Sequence, residues 1–281
     1  MSILLRPMNA DDIEQTYAMT QRLTWPHRRE DWQQALALGE GVVALEQEKV
    51  IGCAIAWRWG EAYATIGLVI VDNQQQGRGI GKQLMLALLE KLGGYNVRLH
   101  ATEMGKGLYE KLGFVTVGQI KQLQTRALAA APPVALTAGL RLRRATPQDA
   151  PTLASLEQQA HGLWRPALIA ALMEENTQLL QDEQGGIQGF ASLRRFGRGW
   201  AIGPIIAQDI AAAQALVAAL MQDLSGEFVR IDVDAALPLA SWLQSLGLDE
   251  VDAPALMVRG TPWQSDPAGM QAFGLMTQAM A

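Results

Sequence analysis

Hydrophobic and polar positions along this chain fall into short alternating runs and longer stretches with a three-to-four spacing. Residues 3–6 read as a strand. Asn9 with Asp11 and Asp12 offers a helix cap with acids in the first turn, and Ile13, Tyr17 and Leu23 continue at helical spacing. A second helix is expected over about residues 30–38, then strand runs at 42–46, 50–57 and 63–71, punctuated by Gly39, Gly41 and Gly60. The stretch 66–85 combines a β-branched strand up to Val71, the loop Gln76-Gly77-Arg78-Gly79-Ile80-Gly81 and a helix carrying Leu84, Leu88 and Leu92. Gly93-Gly94 closes that helix. A strand at 96–101, a helix at 104–112 with Gly113 as its left-handed cap, and a strand at 114–120 complete the first half.

Residues 127–139 lose both periodicity and charge and read as a linker. Beyond it the pattern returns. Leu142-Arg143 with Asp149 matches Leu5-Arg6 with Asp12, 187–191 matches 50–54, 201–207 matches 65–71, 229–231 matches 97–99, and 242–248 matches 108–114. A repeat this long means two copies of one domain fold rather than a short-period solenoid. The second copy has lost a net four residues between its matching strand and helix: no glycine remains in Ala207-Gln-Asp-Ile-Ala-Ala-Ala213, and Leu243 stands in place of Tyr109. The second copy is therefore expected to keep the scaffold and lose the chemistry.

Composition narrows the setting. The chain has 281 residues, a formal net charge of −5 and no basic block, which argues against nucleic acid as a partner. Its single cysteine, Cys53, lies in an expected strand and reads as a small buried apolar residue, so no intrachain disulfide is possible. No apolar run approaches membrane-spanning length, and Met1 leads straight into a strand pattern without a signal-peptide layout. A cytoplasmic protein without membrane partners is expected.

The glycine loop carries the chemistry. Glycines let a backbone approach a ligand closely, and the free N–H groups at the start of the following helix face an anion where the helix dipole is positive. Arg78 and Lys82 add charge. A dinucleotide-binding loop would follow the first strand of its unit, and a Walker loop would end in Gly-Lys-Ser/Thr; here four strands come first and the loop ends Gly81-Lys82-Gln83.

The element order, with Gln76–Gly81 after the fourth strand and Leu108-Tyr109-Glu110-Lys111-Leu112-Gly113-Phe114 near the end of the copy, resembles the GNAT (GCN5-related) N-acetyltransferase superfamily in its tandem form. The resemblance covers roughly residues 1–125 and implies an α/β (α+β) fold, each copy a mixed central sheet flanked by helices. It implies a catalytic domain at 1–126, the linker at 127–139, and a degenerate GNAT-like domain with a C-terminal tail at 140–281. It further implies acetyl-CoA as co-substrate without a metal, bound by Val69, Ile70 and Val71 on the strand, by Gln76, Gly77, Arg78, Gly79, Ile80, Gly81 and Lys82 on the loop, and by Thr102, where many members carry Asn. Tyr109 takes the place of the general acid that protonates the leaving thiolate. Thr65 stands where some members carry a catalytic glutamate, which leaves Glu61, Tyr63, His100, Glu103 or water as candidates for the base.

The implied reaction is acetyl transfer to an amine, expected to belong to a small molecule, by direct attack. A non-catalytic acyl-CoA-binding or regulatory module and a protein N-acetyltransferase are the rival readings. His27 reads as a solvated loop residue, with a place at a substrate mouth as its other reading. His161 is expected at the surface or between domains; Asp232 and Asp234 end a strand of the second copy and read as a strand-end loop, with an amine-binding contact as the other reading. In the tail, Phe273, Met276 and Met280 recur at helical spacing, so a short amphipathic helix is expected there, docked on a domain, in a substrate cleft or on a partner subunit of a homodimer.

Overall fold

The computed structural model describes residues 3–280. In chain order the elements are β1 (Leu4–Pro7), α1 (Ile13–Arg22), α2 (Arg29–Leu38), β2 (Glu40–Glu46), β3 (Lys49–Trp59), β4 (Tyr63–Val71), α3 (Ile80–Lys91), β5 (Asn96–Ala101), α4 (Glu103–Lys111) and β6 (Val115–Thr125). The second half runs β7 (Arg141–Arg144), α5 (Ala150–His161), α6 (Pro166–Leu172), β8 (Asn176–Gln181), β9 (Ile187–Phe196), β10 (Gly199–Ala207), α7 (Ile210–Met221), β11 (Val229–Asp234), α8 (Leu239–Ser245), β12 (Asp249–Asp252), β13 (Ala255–Arg259) and β14 (Gln271–Gly274). The repeat read from sequence is therefore a repeat of elements, with β12 and β13 together matching β6.

Period-two alternation builds the first half. Along β2, Val42 and Ala44 enter the core under α3, while Val43 and Leu45 enter the core under α1 and α2. With helices on both faces the middle of the strand is buried on both, which is why residues 41–45 run apolar without a break between Glu40 and Glu46. Leu84, Met85 and Leu88 on α3 close one layer; Met19 and Trp32 on α1 and α2 close the other. The entry of each half is fastened identically. Arg6 donates to both Asp12 oxygens at 2.8 and 2.7 Å, and Arg143 does the same to Asp149. Each of these aspartates also accepts a backbone N–H three residues back, closing a capping box.

Among the described residues the strands form one continuous sheet, in the order β1-β2-β3-β4-β5-β13-β6-β11-β14-β10-β9-β8-β7, with β12 paired to β6 off that path. The centre of this order is an exchange. The first part of β6 pairs β13, and β13 lies between it and β5, with Ala255 opposite Ala101 and Met257 opposite Leu99. The last part of β6 crosses into the other half and pairs β11, Ile231 opposite Leu123, and β12. Each half thus completes its sheet with the end of the other's sixth strand. The connection at 127–139 holds no helix or strand, yet Leu128 within it is buried in the second core and bridges Ser225.

The tail departs from the sequence expectation. It forms strand β14 and then a turn over 275–280, with no helix. Phe273 enters the second core and Met276 and Met280 the first, so their spacing reflects burial in two different cores. Asp232 and Asp234 do end a strand, β11, but Asp232 lies within it and not in a loop: it is buried and paired with Arg230 at 2.8 Å.

Candidate active site

Strands β4 and β5 pair in parallel only where Tyr63–Thr65 face Asn96–Arg98. Beyond that they part. At the parting β4 carries a bulge: Gly67 faces Ile55 and Ile70 faces Cys53, leaving Leu68 and Val69 opposite Ala54 alone. Leu68 adopts φ +51°, a left-handed conformation that costs an ordinary side chain about 1–2 kcal/mol. Bulges re-aim a strand. This one leaves the edge of β4 at Val69, Ile70 and Val71 with no strand partner on the β5 side among the described residues.

The glycine loop continues from that edge. Gly77 and Gly79 have φ of +78° and +75°, and a Cβ on either would meet no atom within 4 Å, so their outer sides form an open cradle. Gly79 caps α3, whose first N–H groups, from Ile80 to Lys82, precede the first helical bond, from Gln83 to Gly79. The side chains behave differently from the expectation. Arg78 turns to Glu46, with an ion pair at 2.9 Å, Ile80 is buried in the core, and Gln76 donates to Asn73 at 3.1 Å. At these three positions the side chains are engaged elsewhere, which leaves the backbone N–H groups as the cradle's donors. Gly81 faces Leu108 of α4, where a Cβ would sit at 3.3 Å.

The second half has the same geometry, filled by its own atoms. Strands β10 and β11 pair only at Trp200–Ala201, and a matching bulge follows between Ile202 and Ile205. There β14 pairs antiparallel with Ile205, Ile206 and Ala207, the repeat partners of Val69, Ile70 and Val71. At the start of α7 the carboxylate of Asp209 accepts the Ala212 N–H at 2.8 Å. A strand and an anion, both internal, occupy the two positions that stay open in the first half.

Tyr109 sits on α4, buried, edge-on to Phe114 at 6.0 Å between ring centres. Burial pushes its phenol up to about 12. Thr102 caps α4, accepting the Gly105 N–H at 3.3 Å, and also borders a cavity of about 380 Å³ between the two halves. Trp25, Phe196 and Phe228 give that cavity an aromatic wall, Gln122, Arg230 and Asp252 a polar one, and the bulge residues Gly67 and Leu68 part of its floor. His27 borders it too, its ring 5.3 Å from Phe196 and its buried Nδ1 without a partner; burial pushes its pKa down to about 4. It is a cavity residue, against the solvated-loop expectation. His161 is buried between the halves, where its carbonyl accepts from Arg98 at 2.7 Å. Of the base candidates named from sequence, only His100 borders the cavity.

The cavity's remaining wall is the tail, which sequence reasoning missed. Thr277, Gln278 and Ala279 line it. The carbonyls of Met276 and Met280 accept from buried Arg194 and Arg165. Ala279 lies so close to Gly67 that a Cβ there would stand 2.6 Å from its carbonyl oxygen. Backbone carbonyls carry these contacts, so no side-chain pattern announced them. Among the described residues no group of three or more His, Cys, Asp or Glu could hold a metal, and no helix is long and apolar enough to cross a membrane.

A sheet opened by a β4 bulge, a glycine cradle leading into α3, and a tyrosine on the helix after β5 define an acetyltransferase of the GNAT class, duplicated in one chain. The chain belongs to that family: models of the acetyltransferase (GNAT) domain match residues 38–116 and 153–270, between them more than half of it. It is 26% identical over 212 residues to YitH of Bacillus subtilis (strain 168), described as an uncharacterized N-acetyltransferase, across 74% of this chain and 73% of that one. A Pyrococcus horikoshii structure with a provisional acetyltransferase name superposes with a TM-score of 0.80 at 22% identity, over 99% of this chain and 96% of that one. A tandem GNAT protein from the clavulanic acid biosynthesis pathway gives 0.66 at 14% identity, over 94% and 100%. At these identities the solved structures speak for the fold.

Proposed function

We propose that the first half binds acetyl-CoA and transfers its acetyl group to the amine of a small molecule held in the cavity between the halves. The observation that carries this reading is the contrast between the copies: the second half fills its strand edge and helix start with β14 and Asp209, and the first leaves both open. Pantetheine would add to the edge of Val69, Ile70 and Val71 as β14 adds to Ile205–Ala207. The pyrophosphate would meet backbone N–H groups of the loop from Gln76 to Lys82, with the exposed Lys82 as the cation at hand in place of Arg78. Thr102, at the cavity rim beside the start of α4, would bound the thioester end.

Direct attack needs no covalent enzyme intermediate. Tyr109, protonated at any working pH, donates its proton to the leaving thiolate. A cavity of this size with converging polar groups suits a small acceptor. Isothermal titration is expected to give CoA a Kd in the micromolar range. Gly79→Val is expected to abolish that binding, because the left-handed cap and the open cradle are both lost; unchanged affinity would sink the assignment. Thiol release over a panel of primary amines then separates an enzyme from a non-catalytic binder, and mass spectrometry of lysate proteins incubated with acetyl-CoA tests for protein acceptors.

A further inference from the structure

His100 stands at the end of β5 and borders the cavity together with Gly67, Leu68 and Gln278. Its Nδ1 lies 2.8 Å from the carbonyl oxygen of Gln278. A carbonyl can only accept, so Nδ1 carries the hydrogen and Nε2 of the neutral ring holds a bare lone pair. No hydrogen bond to Nε2 is formed among the described residues, and the ring lines the cavity. Burial, with Arg98 behind it, outweighs the pull of the Gln278 carbonyl and keeps the ring neutral down to about pH 4.

The carbonyl that sets this tautomer is itself held. Two residues before Gln278 and two after, the chain is fastened: Met276 and Met280 present their carbonyls to Arg194 and Arg165, and the adjacent Ala279 rests on Gly67. The Thr277 hydroxyl accepts the N–H groups of Ala279 and Met280 at 3.2 and 3.1 Å, which fixes the turn. Gly67 belongs to the β4 bulge, so the tail ties His100 on β5 to the strand that would carry the thioester.

We propose that Nε2 of His100 accepts the proton of the attacking amine, and that the C-terminal segment serves the reaction by holding His100 in the tautomer that can do so. This rests on the first half being the acetyl-CoA site. The amine lone pair forms the C–N bond, the carbonyl π electrons move to oxygen and return, and the C–S bond breaks. The thiolate takes the Tyr109 proton and the nitrogen gives one proton to Nε2. Water in the cavity then carries the proton from the imidazolium and resupplies Tyr109. The net change is one hydrogen moved from nitrogen to sulfur, with no oxidant or reductant. A weak base suffices, because a nitrogen already bonded to the acetyl carbon is far more acidic than a free ammonium.

An acceptor-independent probe tests this. S-(2-bromoacetyl)-CoA places an alkylating carbon beside the acetyl position, where Nε2 would displace bromide and form an N–C bond. The expected result is one adduct on the tryptic peptide Leu99–Lys106, localised to His100 by fragmentation and prevented by excess CoA. Cys53 does not compete: it is buried, and burial pushes its thiol far up. His100→Gln is expected to bind CoA within twofold of wild type, take no label, and lose at least 10-fold in kcat with primary amines at unchanged KM for acetyl-CoA. In the wild type, ¹⁵N-histidine spectra are expected to show His100 protonated at Nδ1 and bare at Nε2; these spectra and the wild-type labelling stand even where the variant fails to fold. Normal CoA binding with no label on His100, or an Nε2–H ring, would overturn the proposal. Absent CoA binding in calorimetry would overturn the cofactor reading first and this inference with it.

Discussion

The Tyr109 phenol is raised to about 12 by burial, with no charged partner involved. It is therefore protonated at any working pH and, under the proposed reading, has its proton at hand for a departing thiolate. Tyr109→Phe keeps the ring against Phe114 and removes only the O–H, so kcat is expected to fall about 10²-fold or more while CoA affinity stays within twofold. Equal turnover in steady-state assays would remove Tyr109 from the mechanism. The three histidines make a second prediction. His27, His100 and His161 are each pushed from 6.5 down to about 4, chiefly by burial. The unfolded chain thus binds protons before the folded one, so stability is full above about pH 6.5 and drains as pH falls toward 4. Melting temperatures are expected to decline through that window, with the decline shallower in His27→Gln. A flat profile would contradict the burial of these rings. At this scale the glycines were legible, since the positive φ at 77 and 79 favours glycine and no other residue as strongly. Arg78 was not: its distance from Glu46 depends on β2, which the local pattern cannot see.

The C-terminal segment is the element whose role was least legible. The spacing of Phe273, Met276 and Met280 satisfies a helix, but it equally fits a short strand followed by a turn that drops side chains into two cores. What holds the segment is backbone carbonyl bonded to buried Arg194 and Arg165 and to His100 on the cavity wall, and backbone carries no signature. Gly67 is the point of contact that sequence could have flagged. Gly67→Val would push its Cβ into the Ala279 backbone, which has no flexible end to yield. The expected outcome is a tail displaced from the cavity, seen as faster proteolysis at the C-terminus, with melting lowered by several degrees. Retention of wild-type protease resistance would show that the tail is held without that contact. The filled second slot explains in physical terms why the degenerate copy needs no glycine loop: Asp209 and β14 supply the anion and the strand from within.

Across the whole molecule, the repeat was readable because matching elements recur in matching order. The exchange of β6 and β13 was not, because pairing partners far apart in sequence leave no local pattern. Residues 1–139 alone lack β13, so β5 and the first part of β6 face a gap; residues 140–281 alone lack the last part of β6 beside β11. Either half expressed singly is expected to be insoluble, with the two together restoring a soluble complex in size-exclusion chromatography. A monomeric, folded first half would contradict the exchange.

The same exchange governs when the protein can fold at all. Ala101 waits for Ala255, so the first half cannot close its sheet while the ribosome is still making the second. Most of the chain must emerge before either active-site wall exists, and the strand edges of β5 and β6 stay exposed in the meantime. Folding is therefore governed by contacts between distant parts of the sequence, and its speed should be set by that delay rather than by the local helices. A chain arrested just before Ala255 would be long and sticky, and the residues from Ala255 through the cavity-lining tail at 277–279 would decide whether it becomes an enzyme.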